Sequence, residues 1–184
     1  HKLIVISQMS SQSINLYNQL ANHKLFNKSV KFGLKRIKLA LSLLGNPERK
    51  LKNVINVIGE SGKFTTLFTL KSFIEANNQT VTTHVSPSLR DIKERFYMGN
   101  RFLSHKEIRN TIKQIEKLKI PLTVYECLTL VYIINASKKN TDFNIMETGA
   151  LWRLDSNNVN DFPIIQICTN INKQHLNFLK KKTL

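Results

Sequence analysis

Asn53-Val-Ile-Asn-Val-Ile-Gly-Glu-Ser-Gly-Lys-Phe-Thr-Thr66 is the stretch on which the reading of this chain turns. Its β-branched apolar start predicts a strand over 53–58, and the hydroxyl side chains at its end open a helix from about Lys63 to Ala76. Between them, Gly59 and Gly62 permit a turn tight enough for backbone N–H groups to crowd round an anion. The helix then offers the same anion its positive N-terminal end. Lys63 is placed to reach terminal phosphates, and Thr65 or Thr66 to give a hydroxyl to a phosphate or its Mg²⁺. A strict phosphate loop has glycine where Val57 stands and Ser or Thr where Phe64 stands. An ordinary strand–turn–helix connection, with glycines present only for positive φ, therefore stays open beside the nucleotide reading.

The rest of the chain gives this stretch a context. Val30, Leu34, Ile37, Leu41 and Leu44 recur at helical spacing, and Gly45-Asn-Pro47 stops that helix. In the helix after the glycine turn, Leu67, Leu70, Phe73 and Ile74 are expected on the inner side. Thr80 to Val85 reads as a second strand closed by Ser86-Pro87, and a less regular stretch follows to Leu103. Ser104-His-Lys-Glu107 is a capping box opening a helix that carries Ile108, Ile112, Ile115 and Leu118, and Pro121 ends it. Thr123-Val-Tyr-Glu126 is a second capping box, opening a helix to about Ala136. Phe143 to Met146 and Ile164 to Thr169 read as buried strands. No internal repeat or low-complexity linker interrupts the pattern.

Strands alternating with helices predict a parallel sheet covered by helices on its faces. Ligands of such sheets bind beyond the carboxyl ends of the strands. Thr65, Ser86, Glu147 and His175 all fall within a few residues of a predicted strand end. One rim would then gather a hydroxyl, a carboxylate and an imidazole beside Lys63, which suits Mg²⁺ and a nucleotide. Taken singly, Ser86 also fits a turn before Pro87, Glu147 a loop carboxylate in an ion pair, and His175 a solvated residue in a basic segment.

At 184 residues, 41% hydrophobic and 8% aromatic, the chain is long and apolar enough for one domain, or most of one. Four apolar residues in a row at the start are too few for a signal peptide, and nothing approaches membrane-spanning length, so a cytosolic location is expected. Cys127 and Cys168 both sit in apolar runs and are expected to be small core hydrophobes. Lys and Arg number 28 against 12 Asp and Glu, a net charge of +16. The lysines are spread along the chain, the tightest cluster being Lys180-Lys-Lys182, and Asn and Ile are abundant too, as an AT-rich genome would produce. Neither interleaved aromatics nor a recognition motif accompanies the charge, so compositional bias is set ahead of nucleic-acid binding.

In this order the segments resemble the folylpolyglutamate synthase/dihydrofolate synthase family, a branch of the Mur ligase superfamily. Phe32-Gly-Leu-Lys-Arg36 with Leu44-Gly-Asn-Pro47 resembles the family's helix before its phosphate loop. Gly59-Glu-Ser-Gly-Lys-Phe-Thr-Thr66 stands in the place of G-T-N-G-K-G-S-T, and Ser86-Pro-Ser-Leu89 with Glu94-Arg95 in that of S-P-H-L and E-R. Tyr125-Glu-Cys-Leu-Thr-Leu130 is similar to F-E-x-L-T-L. Glu147-Thr-Gly149 with Arg153-Leu-Asp155 and Asn158 parallels E-V-G-L-G-G-R-L-D-A-T-N, and Thr169-Asn-Ile171 with His175 parallels T-N-I-G-L-D-H.

The resemblance implies an α/β fold with a mostly parallel sheet and flanking helices, a P-loop-like ATPase domain incomplete at its C-terminal end. It implies residues 1–29 as an N-terminal extension and 30–184 as core, without the family's C-terminal ligase domain. The implied activity is ATP-dependent addition of glutamate to a dihydropteroate or folate through an acyl phosphate, by a monomer, with ATP and Mg²⁺ as cofactors. Gly59, Ser61, Gly62, Lys63, Thr65 and Thr66 would bind the nucleotide. Ser86 and Glu147 would hold one Mg²⁺ and Glu147 with His175 a second, so that Lys63, Glu147 and His175 are the implied catalytic residues. The chain departs from the family at Glu60, which adds negative charge to the cradle, and at Phe64, which adds bulk beside it. Ser88, Leu151, Trp152 and Gln174 depart too, and the family's carbamylated lysine has no clear counterpart. These departures keep open a degenerate homologue that retains the fold without ligating, and the charge keeps open a basic nucleic-acid-binding protein.

Overall fold

A computed structural model describes residues 10–27, 33–149, 152–161 and 163–171. In chain order its elements are α1 (Ser11–Asn22), β1 (Phe26–Asn27), α2 (Lys35–Leu43), β2 (Val54–Ile58), α3 (Lys63–Ala76), β3 (Val81–His84), β4 (Phe96–Met98), α4 (His105–Glu116), β5 (Leu122–Thr123), α5 (Val124–Ala136), β6 (Phe143–Glu147) and β7 (Ile165–Cys168). The four strands expected from the sequence are β2, β3, β6 and β7, all parallel, in a sheet of order β4-β3-β6-β2-β7. The two capping boxes open α4 and α5 as expected, each with both reciprocal hydrogen bonds in place.

Burial of both sheet faces explains the apolar strands. On one face α3 packs over Ile55, Val57, Val81, Val85 and Ile145, supplying Leu67 and Ile74. On the other lies the larger core, centred on α5, whose residues from Glu126 to Ile134 are all buried. Such a helix is apolar all round because helices α2 and α4, with the sheet, enclose it. Polar side chains in the central strands find partners in one another. The Thr82 hydroxyl donates to Asn144 Oδ1 at 2.6 Å and lies 2.8 Å from the Tyr132 hydroxyl, and Asn144 Nδ2 donates to the Lys52 carbonyl at 2.6 Å.

Several sequence expectations are corrected. Phe73, expected inside, is 64% exposed, because the inner stripe of α3 runs through Leu67 and Ile74. β7 was expected to be buried but carries Ile165 at 48% exposure and an exposed Cys168, since it is the edge of the sheet among the described residues. Cys127 is the buried thiol expected. The less regular stretch contains β4, which pairs antiparallel with β3. The segment before residue 30 sends Leu16, Leu20 and Phe26 into the main core, and β1 pairs with β5. Val30 lies outside the described residues. No helix among the described residues is long and apolar enough to cross a membrane.

Candidate functional site

Strands β2, β6 and β3 are neighbours in register, so their carboxyl ends reach one rim together. Beyond β2 the chain turns at Gly59 (φ +122°) and Gly62 (φ +81°), the two positive-φ positions expected of the loop. Gly59 has a second constraint. A Cβ there would lie 2.2 Å from Thr169 Oγ1 and 2.9 Å from the Asn170 carbonyl, so only glycine lets β7 close against the loop. Gly62 is the N-cap of α3, and no side chain caps that end. The first intrahelical bond is Thr66 N–H to the Gly62 carbonyl, which leaves the preceding N–H groups outside the helix ladder.

Lys63 folds back over its own loop, donating from Nζ to the carbonyls of Gly59 at 2.8 Å and Glu60 at 3.2 Å. Ser61 and Thr65 are exposed, and Thr66 is half-buried on the first turn of α3. Phe64 does not fill the loop. Its ring packs on Phe68 at 4.4 Å between centroids, in a groove that includes Val85, Pro87 and Leu89.

Ser86 and Glu147 meet, as expected for two residues at neighbouring strand ends. Ser86 N–H donates to Glu147 Oε2 at 3.0 Å, and the Ser86–Pro87 peptide is cis. Glu147 is only 4% exposed. Burial raises its carboxyl above the ordinary value, against the opposing pull of the Ser86 N–H bond and the charges of Lys63 and Arg95. A carboxylate and a serine hydroxyl carried by neighbouring strand ends are hard oxygen donors of the kind a divalent cation takes. His175 lies outside the described residues, and those residues contain no cluster of three or more His, Cys, Asp or Glu fit to hold a metal.

A supporting shell fixes this rim; in the sequence Tyr125, Glu94, Arg95 and Asp155 are only letters in motifs, and nothing singles out Asn157 or His84. Asn157 Nδ2 donates to the Glu147 carbonyl and, at 3.0 Å, to the Tyr125 hydroxyl. Asp155 accepts from the N–H groups of Gly149 and Asn157 at 3.0 and 2.9 Å. A Cβ at Gly149 would lie 2.9 Å from the Tyr125 ring, and burial, with the Asp155 charge, raises the Tyr125 phenol well above the usual value. Glu94 closes the loop after Pro87 by accepting from the N–H groups of Leu89 and Arg90. Arg95 is 8% exposed and donates to the Tyr17 hydroxyl at 2.8 Å. His84 stacks on Phe96 and Tyr132, and burial and then the Arg95 charge push it down to about 3, so it is neutral.

A parallel sheet that feeds a glycine turn, an uncapped helix and a lysine, with a hydroxyl and a carboxylate on adjoining strand ends, defines a P-loop-like α/β domain. No family model matches the chain. Over 159 residues it is 31% identical to the dihydrofolate synthase/folylpolyglutamate synthase of Bacillus subtilis, covering 82% of this chain and 36% of that protein. In structure it resembles Escherichia coli FolC in complex with DHPP and ADP, with a TM-score of 0.83 and 29% identity over 94% of this chain and 41% of that one. It also resembles the bifunctional folylpolyglutamate synthase/dihydrofolate synthase of Yersinia pestis complexed with AMPPNP and Mn ion, with a TM-score of 0.74 and 28% identity over 86% and 38%. These likenesses place the chain in the folylpolyglutamate synthase/dihydrofolate synthase family, over its N-terminal part. The chain spans less than half the length of each of these proteins.

Proposed function

We propose that this chain is the ATP-binding part of a ligase that joins glutamate to a dihydropteroate or folate carboxylate. The observation that carries the reading is the convergence at one rim of the Lys63 loop with the Ser86–Glu147 pair. Gly59, Ser61, Gly62, Thr65 and Thr66 surround the nucleotide phosphates, and Lys63 leaves its loop carbonyls to contact the β- and γ-phosphates. Ser86 and Glu147 hold one Mg²⁺, and Glu147 with His175 a second. The metal's part is to neutralise the triphosphate. The chain's own part is to position the phosphates and to keep cations beside the charge that develops on the transferring phosphoryl group. Transfer to the acceptor carboxylate gives an acyl phosphate and ADP; attack by the glutamate amine gives the amide and inorganic phosphate.

The relatives' nucleotide and manganese complexes support ATP and a divalent cation as cofactors. We read the protein as a cytoplasmic monomer. Mixing the full-length ligase that carries this chain with Mg²⁺, ATP, glutamate and either dihydropteroate or a folate, and following ADP, tests the reading. ADP release that requires both the acceptor and glutamate is expected. Nucleotide binding with no acceptor-dependent ADP release contradicts it, and the degenerate-homologue reading then stands.

A further inference from the structure

Two consecutive peptide groups of the glycine loop are gripped from both sides. On the outer side, the Asn170 carboxamide oxygen accepts from Ser61 N–H at 2.9 Å and from Glu60 N–H at 3.2 Å, across more than a hundred residues of chain. The Asn170 main-chain carbonyl accepts from Glu60 N–H as well, at 3.2 Å. On the inner side, the carbonyls of those same two peptide groups, belonging to Gly59 and Glu60, receive Lys63 Nζ. The arrangement follows from covalent geometry. In a trans peptide the N–H and the C=O point in opposite directions, so fixing one fixes the other.

We propose that Asn170 is a positioning residue for Lys63, acting through the Gly59–Glu60 and Glu60–Ser61 peptide planes. By drawing two N–H groups toward β7 it turns two carbonyls toward the ammonium, and so sets where Lys63 waits before a terminal phosphate competes for it. The two planes do not depend on the side chain equally. Glu60 N–H keeps the Asn170 main-chain acceptor if the carboxamide is removed, whereas Ser61 N–H, on an exposed residue, has the carboxamide oxygen alone on that side. Loss of the side chain therefore frees the Glu60–Ser61 plane and, with it, the Glu60 carbonyl. The waiting position of Lys63 rests on geometry alone; its meaning for phosphate binding rests on the nucleotide reading above.

Acetylation by acetic anhydride in the absence of nucleotide, read at each lysine by mass spectrometry, tests the coupling. In Asn170→Ala the labelling rate of Lys63 rises about threefold, the size of one lost neutral hydrogen bond of about 0.7 kcal/mol, while Lys38 and Lys93 keep their rates. In Asn170→Asp, which retains the acceptor oxygen, the slow rate returns. An unchanged Lys63 rate in Asn170→Ala, or an equal rise in Asn170→Asp, overturns the proposal. Amide hydrogen exchange of the unaltered protein gives a second reading that needs no variant: Ser61 N–H is protected despite its exposed residue, and exchange at the rate of an unstructured peptide overturns the proposal. Protection of Lys63 by inorganic tripolyphosphate is read separately. Its failure contradicts the nucleotide reading and leaves the variant pattern to decide the Asn170 coupling.

Discussion

The Glu147 carboxylate oxygen Oε2 accepts the Ser86 main-chain N–H at 3.0 Å, tying the end of β6 to the loop that follows β3. The bond holds an almost fully buried acid at the rim where the glycine loop arrives. The acid is held above its ordinary titration range by burial, against two nearby cations.

Glu147→Gln keeps an oxygen for the Ser86 N–H and removes the charge. Its thermal midpoint is expected to stay level or rise, because a buried charge has gone. The Mg²⁺-dependent gain in ATP affinity falls roughly tenfold, the scale of one hydrogen bond to a charged group. Differential scanning calorimetry and ATP titrations with and without Mg²⁺ check the two effects.

Gly59→Ala and Gly62→Ala separate backbone strain from steric closure. Gly62 has open space around it, so its substitution costs about 1–2 kcal/mol for the left-handed conformation alone. Gly59 faces Thr169 and Asn170 at contact distances that a Cβ cannot share, so its substitution costs more and lifts β7 from the loop. Urea denaturation ranks the two, and the larger loss is expected at Gly59.

Tyr132→Phe removes the hydroxyl that meets Thr82 inside the core. A loss of about 1–2 kcal/mol is expected in urea denaturation, since a buried Thr82 hydroxyl loses a partner. Thr82 still donates to Asn144, which keeps the loss at that level.

Glu107 carries an acid-sensitive share of stability. Its hydrogen bond with Arg101, opposed by burial and aided by Ser104, holds the carboxyl well below the ordinary 4.5. A group with a depressed folded-state value contributes above the unfolded value, and the contribution is lost as pH falls through 4.5 toward the lower folded value. Glu107→Gln is therefore less stable than the unaltered protein at pH 7, and the gap narrows steadily below pH 4.5. Thermal melts between pH 7 and pH 3 follow it.

Much of the fold was legible because local chemistry and global packing agree. The β-branched runs of β2, β3 and β6 mark strands buried on both faces, and Ser104/Glu107 and Thr123/Glu126 mark helix starts through bonds only three residues long. Phe-Tyr-Met at β4 is too short for any period to emerge, and its pairing with β3 is a tertiary event. Phe73 defeats the helical period because apolar residues surround much of α3 and only one stripe of them meets the sheet. At the rim, the meeting of Ser86 with Glu147 is legible from their positions at strand ends, and the place of Lys63 from the glycine loop before it. Asn170 was not legible as a partner of the loop, because nothing local to residues 59–66 announces a carboxamide from 110 residues away. Asp155 and Asn157 share that difficulty, since their work is to hold the backbone behind Glu147.

The most direct test of the central claim is calorimetric titration of ATP, with and without Mg²⁺, into the protein and into Lys63→Ala. The account predicts binding that Mg²⁺ strengthens and that the substitution weakens by roughly tenfold or more, because a charged phosphate contact is lost. A folded protein that binds no ATP, or binds it equally well without Lys63, contradicts a working phosphate cradle at this rim.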